Sequence, residues 1–288
     1  MVPAAVSGRI VSAMCGPKAT GRERAGHVGF VYPTVQFRDD TVGAYVEAGL
    51  RLGEHVVLAT GDQRWETALA QHGVDSRRSA EGGSLTILDA PHFFPAQGQA
   101  ALVDSLVGSS GAGIRLATSA EGALAYLGDS EFRRVEQEMN DLCETRPVML
   151  LCHLRSATAG GEPLSPLLDT FVDTHADELR CRWVTMHRTA DGVRLRGEVD
   201  LASGGLVETV LARAGEDGAA SHPGREAVLV VDLSELNFLD VAGYRTLRSG
   251  TEQWRRRGGT VLLNGAGGAV RRLLELIGLG ADGDVWLE

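Results

Sequence analysis

Val28-Gly29-Phe30-Val31-Tyr32-Pro33 is an apolar run of strand length closed by a proline, and its surroundings decide how the chain is read. The next stretch places Val42, Tyr45, Val46, Gly49 and Leu50 on one helical face. His55-Val56-Val57-Leu58-Ala59-Thr60 then returns as a second buried strand, which completes a βαβ unit. The alternation continues outward through a helix from Trp65 to Gln71, a strand at Leu85-Thr86-Ile87-Leu88, a helix from Gln99 to Val107 and a strand at Ile114-Arg115-Leu116-Ala117. A long helix follows, with Phe132, Val135, Met139 and Leu142 at helical spacing, and Val148-Met149-Leu150-Leu151-Cys152 is one more buried strand. This order predicts an α/β fold with a doubly wound, mainly parallel sheet covered by helices on both faces.

Past Ala159-Gly160-Gly161-Glu162-Pro163 a helix carries Leu167, Leu168, Phe171 and Val172 on a common face, and the pattern then changes. Two strands, Arg182 to His187 and Val193 to Val199, flank the hairpin-forming pair Asp191-Gly192. A helix from about Leu201, a strand at Ala227 to Asp232, a helix from Asp240, a strand at Thr260 to Asn264 and an amphipathic helix with Val270, Leu273, Leu274 and Ile277 complete the chain. The Gly/Ala-rich interval from Ala214 to Gly224 reads as a variable loop. The expected organisation is a flexible tail over 1–25, one α/β domain over 26–179 and a second over 180–288.

Composition narrows the function classes. A chain of 288 residues with 43% hydrophobic and 23% charged content suits two folded domains. No apolar run is long enough to cross a bilayer. The net charge of −10 and the lack of an extended Lys/Arg cluster argue against nucleic-acid binding, and the short run Arg255-Arg256-Arg257 reads as the solvated end of a helix. The cysteines Cys15, Cys143, Cys152 and Cys181 lack CxxC spacing and read as reduced, mostly buried thiols. Val11-Ser12-Ala13-Met14-Cys15-Gly16 faintly resembles a lipoprotein cleavage site, but Arg9 interrupts the apolar stretch before it. A cytoplasmic location with no membrane contact is therefore expected.

In the C-terminal half, Leu195-Arg196-Gly197-Glu198-Val199-Asp200-Leu201-Ala202-Ser203, Val230-Val231-Asp232-Leu233-Ser234, Phe238-Leu239-Asp240-Val241-Ala242-Gly243 and the strand opening at Gly258 stand in the order found in STAS domains. The region from Arg180 to Glu288 thus resembles the anti-sigma-factor antagonists. Asp240 ends an apolar strand ahead of a helix, where its carboxylate can cap free amides. The resemblance implies a phosphorylatable Ser at the next position, modified by a kinase-type anti-sigma factor; this chain has Val241 there, followed by Ala242. Either the domain binds its anti-sigma partner constitutively, or it serves a different regulator. Asp200, Ser234, Asp240, Val241, Ala242, Gly243 and Tyr244 are the expected partner-binding residues. Capping outweighs acid/base chemistry for Asp200 and Asp240, and a strand end for Ser234 and a helix interior for Thr251 account for them better than phosphorylation does.

In the N-terminal half, His27-Val28-Gly29, Gly49-Leu50-Arg51-Leu52-Gly53-Glu54, Gly83-Ser84-Leu85-Thr86-Ile87 and Val135-Glu136-Gln137-Glu138-Met139-Asn140, with Leu150-Leu151-Cys152-His153 and His175, resemble the MEDS sensory family. The resemblance implies a RecA-like domain that senses a small molecule, commonly proposed to be a hydrocarbon derivative. It departs at Glu121-Gly122-Ala123-Leu124, where the family often carries larger side chains. The first strand is followed by Pro33-Thr34-Val35-Gln36-Phe37-Arg38, with no glycine-rich turn or Lys-Ser/Thr for phosphates, so nucleotide hydrolysis is not expected.

Ligands of doubly wound sheets sit beyond the carboxyl ends of the strands, where Tyr32, Thr60, Asp62, Asp89, His92, Thr118 and His153 are the candidates. His92-Phe93-Phe94, between Pro91 and Pro95, reads as a loop over a pocket or as rings packed into the core. His27, His92, Cys152, His153 and His175 carry metal-binding groups, but their spacing matches no local zinc pattern; packed or capping histidines are the default, and no metal or cofactor is expected. The leading expectation is a non-enzymatic regulator that binds a kinase-type anti-sigma factor under control of a ligand-sensing domain. The alternatives are a nucleotide-binding or hydrolysing enzyme, or a small-molecule-binding protein whose STAS domain forms a homodimer.

Overall fold

The computed structural model describes residues 26–59, 65–107, 112–156, 165–175, 178–221, 228–278 and 283–288. The chain divides into two compact units, Met1–Glu162 and Pro163–Glu288. No described helix is long and apolar enough to cross a membrane.

The first unit runs β1 (Gly26–Tyr32), α1 (Val35–Arg51), β2 (His55–Ala59), α2 (Trp65–Gln71), α3 (Ser76–Glu81), β3 (Leu85–Leu88), α4 (Ala90–Phe93), α5 (Gln99–Val107), β4 (Ile114–Ser119), α6 (Ala120–Leu127), α7 (Asp129–Thr145) and β5 (Val148–Arg155). Its five strands are parallel, in the order β1-β5-β4-β2-β3. β1 and β5 are buried almost without interruption, because helices cover both faces of a parallel sheet. Phe30, Val42, Tyr45, Val46, Leu58 and Leu69 form part of one core cluster. Thr34 caps α1 by accepting from Phe37 N at 3.2 Å. Gly128, at φ +79°, separates the long helix α7 from the shorter α6. Inside the unit Arg115 Nε donates to Glu54 Oε2 at 2.7 Å, and its guanidinium lies over the Tyr45 ring at 4.6 Å.

Segment 90–93 is a short helix, not a loop. Phe93 and Phe94 are both buried, in edge-to-face contact at 4.9 Å, so the rings pack inward while His92 stays exposed. Asp89 caps this helix through His92 N at 3.1 Å.

The second unit runs α8 (Ser165–Thr174), β6 (Glu178–Cys181), β7 (Val184–Thr189), β8 (Gly192–Val199), α9 (Gly204–Ser221), β9 (Val228–Leu239), α10 (Val241–Gly250), α11 (Glu252–Arg256), β10 (Thr260–Asn264), α12 (Gly268–Leu276) and β11 (Val285–Leu287). β6, β7 and β8 pair antiparallel, whereas β8, β9, β10 and β11 pair parallel. Gly192 is required at the β7–β8 turn, since a Cβ there would collide with the Val230 carbonyl. α8 travels with this unit although the sequence placed it before the boundary. Arg213 of α9 reaches Asp173 at 3.3 Å and Asp169 at 3.7 Å.

The expected loop from Ala214 is helical as far as Ser221. Its glycines serve packing: a Cβ at Gly215 or Gly218 would stand 3.3 or 3.2 Å from the Trp254 side chain. Leu206, Val207, Val210 and Leu211 bury the inner face of this helix.

Candidate functional site

The carboxyl ends of β2, β4 and β5 in the first unit converge on an open cavity of about 190 Å³. Its wall includes Arg38, Trp65, Phe94, Thr118, Ser119 and His153, with the small residues Ala59, Ala90, Gly122 and Ala123 leaving the space. That location is the one expected for a ligand of an open α/β sheet. The departure at Glu121-Gly122-Ala123-Leu124 acquires a physical meaning here, because larger side chains at Gly122 and Ala123 would fill the cavity.

Helix α6 starts at this wall. Ser119 Oγ accepts from Gly122 N at 3.2 Å and donates to Glu121 Oε2 at 2.8 Å, while Glu121 Oε1 accepts from Arg155 N at 2.7 Å. The cap thereby ties the ends of β4 and β5 together. Arg38 lies over the Trp65 ring at 4.7 Å and is paired with Asp39 at 2.6 Å. His153 is only 1% exposed, and neither ring nitrogen has a hydrogen-bond partner among the described residues. Burial, reinforced by the Arg38 charge, pushes its pKa down to about 3, so the imidazole is neutral at physiological pH. Tyr32 stands edge-on to the His153 ring at 5.8 Å. Burial first, and then the Glu121 charge, push its hydroxyl up to about 12, so it remains a donor.

Of the ligand candidates read from sequence, Thr118 and His153 line the cavity and Tyr32 supports it. Asp89 and His92 pair with each other at the surface and are not among its lining residues; neighbouring Ala90 and Phe94 are. Thr60 and Asp62 lie outside the described residues. Sequence reading missed Arg38 and Trp65, which sit on helices α1 and α2 and become a stacked pair only through tertiary packing.

The metal candidates separate by strand parity. Successive side chains of a strand face opposite sides. His27 pairs in register with Leu150, two residues before Cys152, so His27 and Cys152 share one face of the sheet, while His153 faces the cavity on the other. His92 is exposed beside Asp89. His175 belongs to the second unit, where it stacks on Phe171 at 4.1 Å, with Nδ1 2.9 Å from Phe171 O.

In the second unit, β8 and β9 end side by side, with Val199 paired to Leu239. The next residues are Asp200, which holds the turn ahead of α9, and Asp240, which caps α10. Asp200 Oδ1 accepts from Ala202 N and Ser203 N at 3.0 Å each, and Asp240 Oδ1 accepts from Gly243 N at 2.7 Å. The residues after them are exposed and apolar: Leu201 at 80% and Val241 at 48%, with Phe238 at 48% just before the strand end. Three of the expected partner-binding residues stand apart from the exposed start of α10. Gly243 and Tyr244 are buried within their own unit, since α10 turns that flank onto β8 and β9; a Cβ at Gly243 would stand 2.6 Å from Val199 O. Ser234 does not end a strand but lies within β9, six residues before Asp240 and roughly 20 Å away along an extended chain. Thr251 closes α10, its hydroxyl donating to Leu247 O at 2.7 Å. The exposed patch is therefore made by Leu201, Phe238, Val241 and the partly exposed Ala242.

No curated protein matches the chain. Among solved structures, a KaiC-like protein of the hyperthermophilic archaeon Pyrococcus horikoshii is similar at 14% identity over 60% of this chain and 79% of that one, with a TM-score of 0.41. Residues 184–287 match the family model described as Mlab, STAS domain. Residues 26–176 match the model described as MEDS, the methanogen/methylotroph DcmR sensory domain. The two models follow the order read from the sequence, and since the first spans more than half of its length, the chain belongs to the MEDS family and carries a C-terminal STAS domain.

Proposed function

We propose that this chain is a non-enzymatic cytoplasmic signalling regulator: its MEDS domain binds a small molecule in the cavity at the strand ends, and its STAS domain docks a kinase-type anti-sigma factor at the start of α10. The observation that carries the docking half is Val241, an exposed apolar residue in the first turn of α10 beside the exposed Leu201 and Phe238. Exposed apolar side chains near capped helix starts are characteristic of protein contact surfaces. Because Val241 has no hydroxyl, phosphorylation at that position cannot release the partner, and control falls to the sensory domain.

The chemistry of the cavity supports a small, largely apolar ligand with one polar group. Trp65, Phe94 and the alanines offer apolar contact, while neutral His153 requires a hydrogen-bonding partner where it is buried. Co-purification of the full chain with a kinase-type anti-sigma factor from its own genome tests the docking. Wild type retains the partner and Val241→Asp releases it; retention by both proteins contradicts the assignment. Incubation with Mg²⁺ and ATP leaves the nucleotide intact, whereas turnover by pure protein contradicts the non-enzymatic reading.

A further inference from the structure

On the face of β1 and β5 opposite the cavity, three metal-binding side chains meet inside the first unit. His27, Glu136 and Cys152 come from β1, α7 and β5, and each offers a ligand atom within 4.8 Å of the others. All are buried, at 6%, 2% and 0% exposure. An acid in the buried stripe of a helix is unusual, because an ionised carboxylate is costly there unless a cation accompanies it.

The geometry specifies what the cation meets. His27 Nδ1 lies 2.7 Å from Asn140 Oδ1, one helical turn beyond Glu136. The amide oxygen accepts a hydrogen from Nδ1, which turns the Nε2 lone pair toward Glu136 Oε2 at 3.3 Å. On its other side, Glu136 Oε1 stands 3.8 Å from Cys152 Sγ. Tetrahedral zinc, with bonds of about 2.0–2.2 Å to N and O and about 2.3 Å to S, requires ligand atoms about 3.3–3.7 Å apart. Both measured edges lie in or close to that range. An imidazole whose second nitrogen is held by a carbonyl is the usual arrangement around a metal-bound histidine. One carboxylate, one thiolate and a divalent ion also sum to zero charge, which suits an interior site.

We propose that His27, Glu136 and Cys152 form a transition-metal site, with zinc as the preferred ion and Asn140 as the residue that orients His27. The site is separate from the cavity and independent of the docking assignment. It pins α7 to the two strands β1 and β5, and so braces the sheet behind the cavity wall. On binding, the metal takes the place of the thiol proton, which leaves to solvent as the Cys152 Sγ–metal bond forms.

The test uses the full chain. Purified without chelator, it should hold about one equivalent of zinc or another first-row transition metal. Replacement by cobalt(II) should give the near-ultraviolet thiolate-to-cobalt band and the visible bands of a tetrahedral ion. Cys152→Ser should abolish the thiolate band and Cys15→Ser should leave it; Asn140→Leu should weaken metal affinity by about 10- to 100-fold. Absence of both bound metal and the cobalt spectrum in the wild-type protein overturns the site, and would mean that a proton alone is shared between His27 and Glu136. A thiolate band that survives Cys152→Ser but is lost in Cys15→Ser overturns it as well. The first outcome does not depend on how the variants fold, because the wild-type spectrum alone decides whether an ion is bound.

Discussion

The two domains use the same local grammar to opposite ends. In each, a strand runs into a helix through a polar cap whose partner is the amide of a glycine three residues on: Ser119 with Gly122 at the start of α6, Asp240 with Gly243 at the start of α10. Around α6, Trp65 and Phe94 wall the strand ends and the small first-turn residues leave a hollow. Around α10, the first turn carries Val241 outward. The interiors differ in the same sense. The MEDS domain buries His27, Glu54, His55, Arg115, Glu136 and His153, whereas the STAS domain buries hydroxyls such as Ser203, Thr246 and Thr251. A hollow walled by aromatic and small side chains, with Arg38 and His153 as its ionisable groups, suits a small molecule, and exposed apolar residues at a capped helix start suit a protein partner.

The contrast breaks first at the buried ion pair. Arg115→Leu leaves the Glu54 carboxylate without its partner inside the sensory unit and should cost about 3–5 kcal/mol in urea unfolding. The two capped glycines should then respond differently. Gly243→Val meets the Val199 carbonyl and Leu239 and should destabilise by about 2–3 kcal/mol. At Gly122 a Cβ meets only Ser119, at 3.6 Å, so Gly122→Ala should be neutral or stabilise by up to about 1 kcal/mol through helix propensity.

The pH response should come from the sensory unit. His153 titrates at about 3 when folded, below its unfolded value near 6.5, so the unfolded chain takes up the proton first as pH falls. The associated stability is present above pH 6.5 and declines between pH 6.5 and 3. It amounts to about 2 kcal/mol lost between pH 7.5 and 5. His55, also lowered by burial, adds a slope of the same sign. Denaturant titrations at the two pH values should show the His153→Leu variant losing less stability than wild type by about that amount. The smallest effects belong to the docking surface. Asp240→Ala should cost about 1 kcal/mol by removing the cap, and exposed Val241→Asp should stay within about 0.5 kcal/mol, which makes it the cleaner probe of binding.

Much of this architecture was legible because it rests on short-range pattern. The continuous apolar runs of β1, β2 and β5 and the spacing of Phe132, Val135, Met139 and Leu142 follow directly from burial on sheet faces and helix stripes. The cap at Asp240 was legible for the same reason. Features that depend on packing partners were not. Glycines near 215 suggest a loop until Trp254 is known to lie against them. The stacked pair Arg38 and Trp65 comes from two helices with no shared motif. Cys152 and His153 look like one cluster in sequence, yet strand parity sends them to opposite faces, and Glu136 and His27 are brought to the cysteine by α7 and β1.

Native mass spectrometry of the full chain taken straight from its host tests both halves of the contrast at once. Wild type should carry a small molecule and a bound polypeptide, with the first lost in Gly122→Leu, which fills the hollow, and the second lost in Val241→Asp. A wild-type spectrum showing neither addition, or additions unchanged in both variants, would contradict the assignment of a concave sensory site and an exposed apolar docking face.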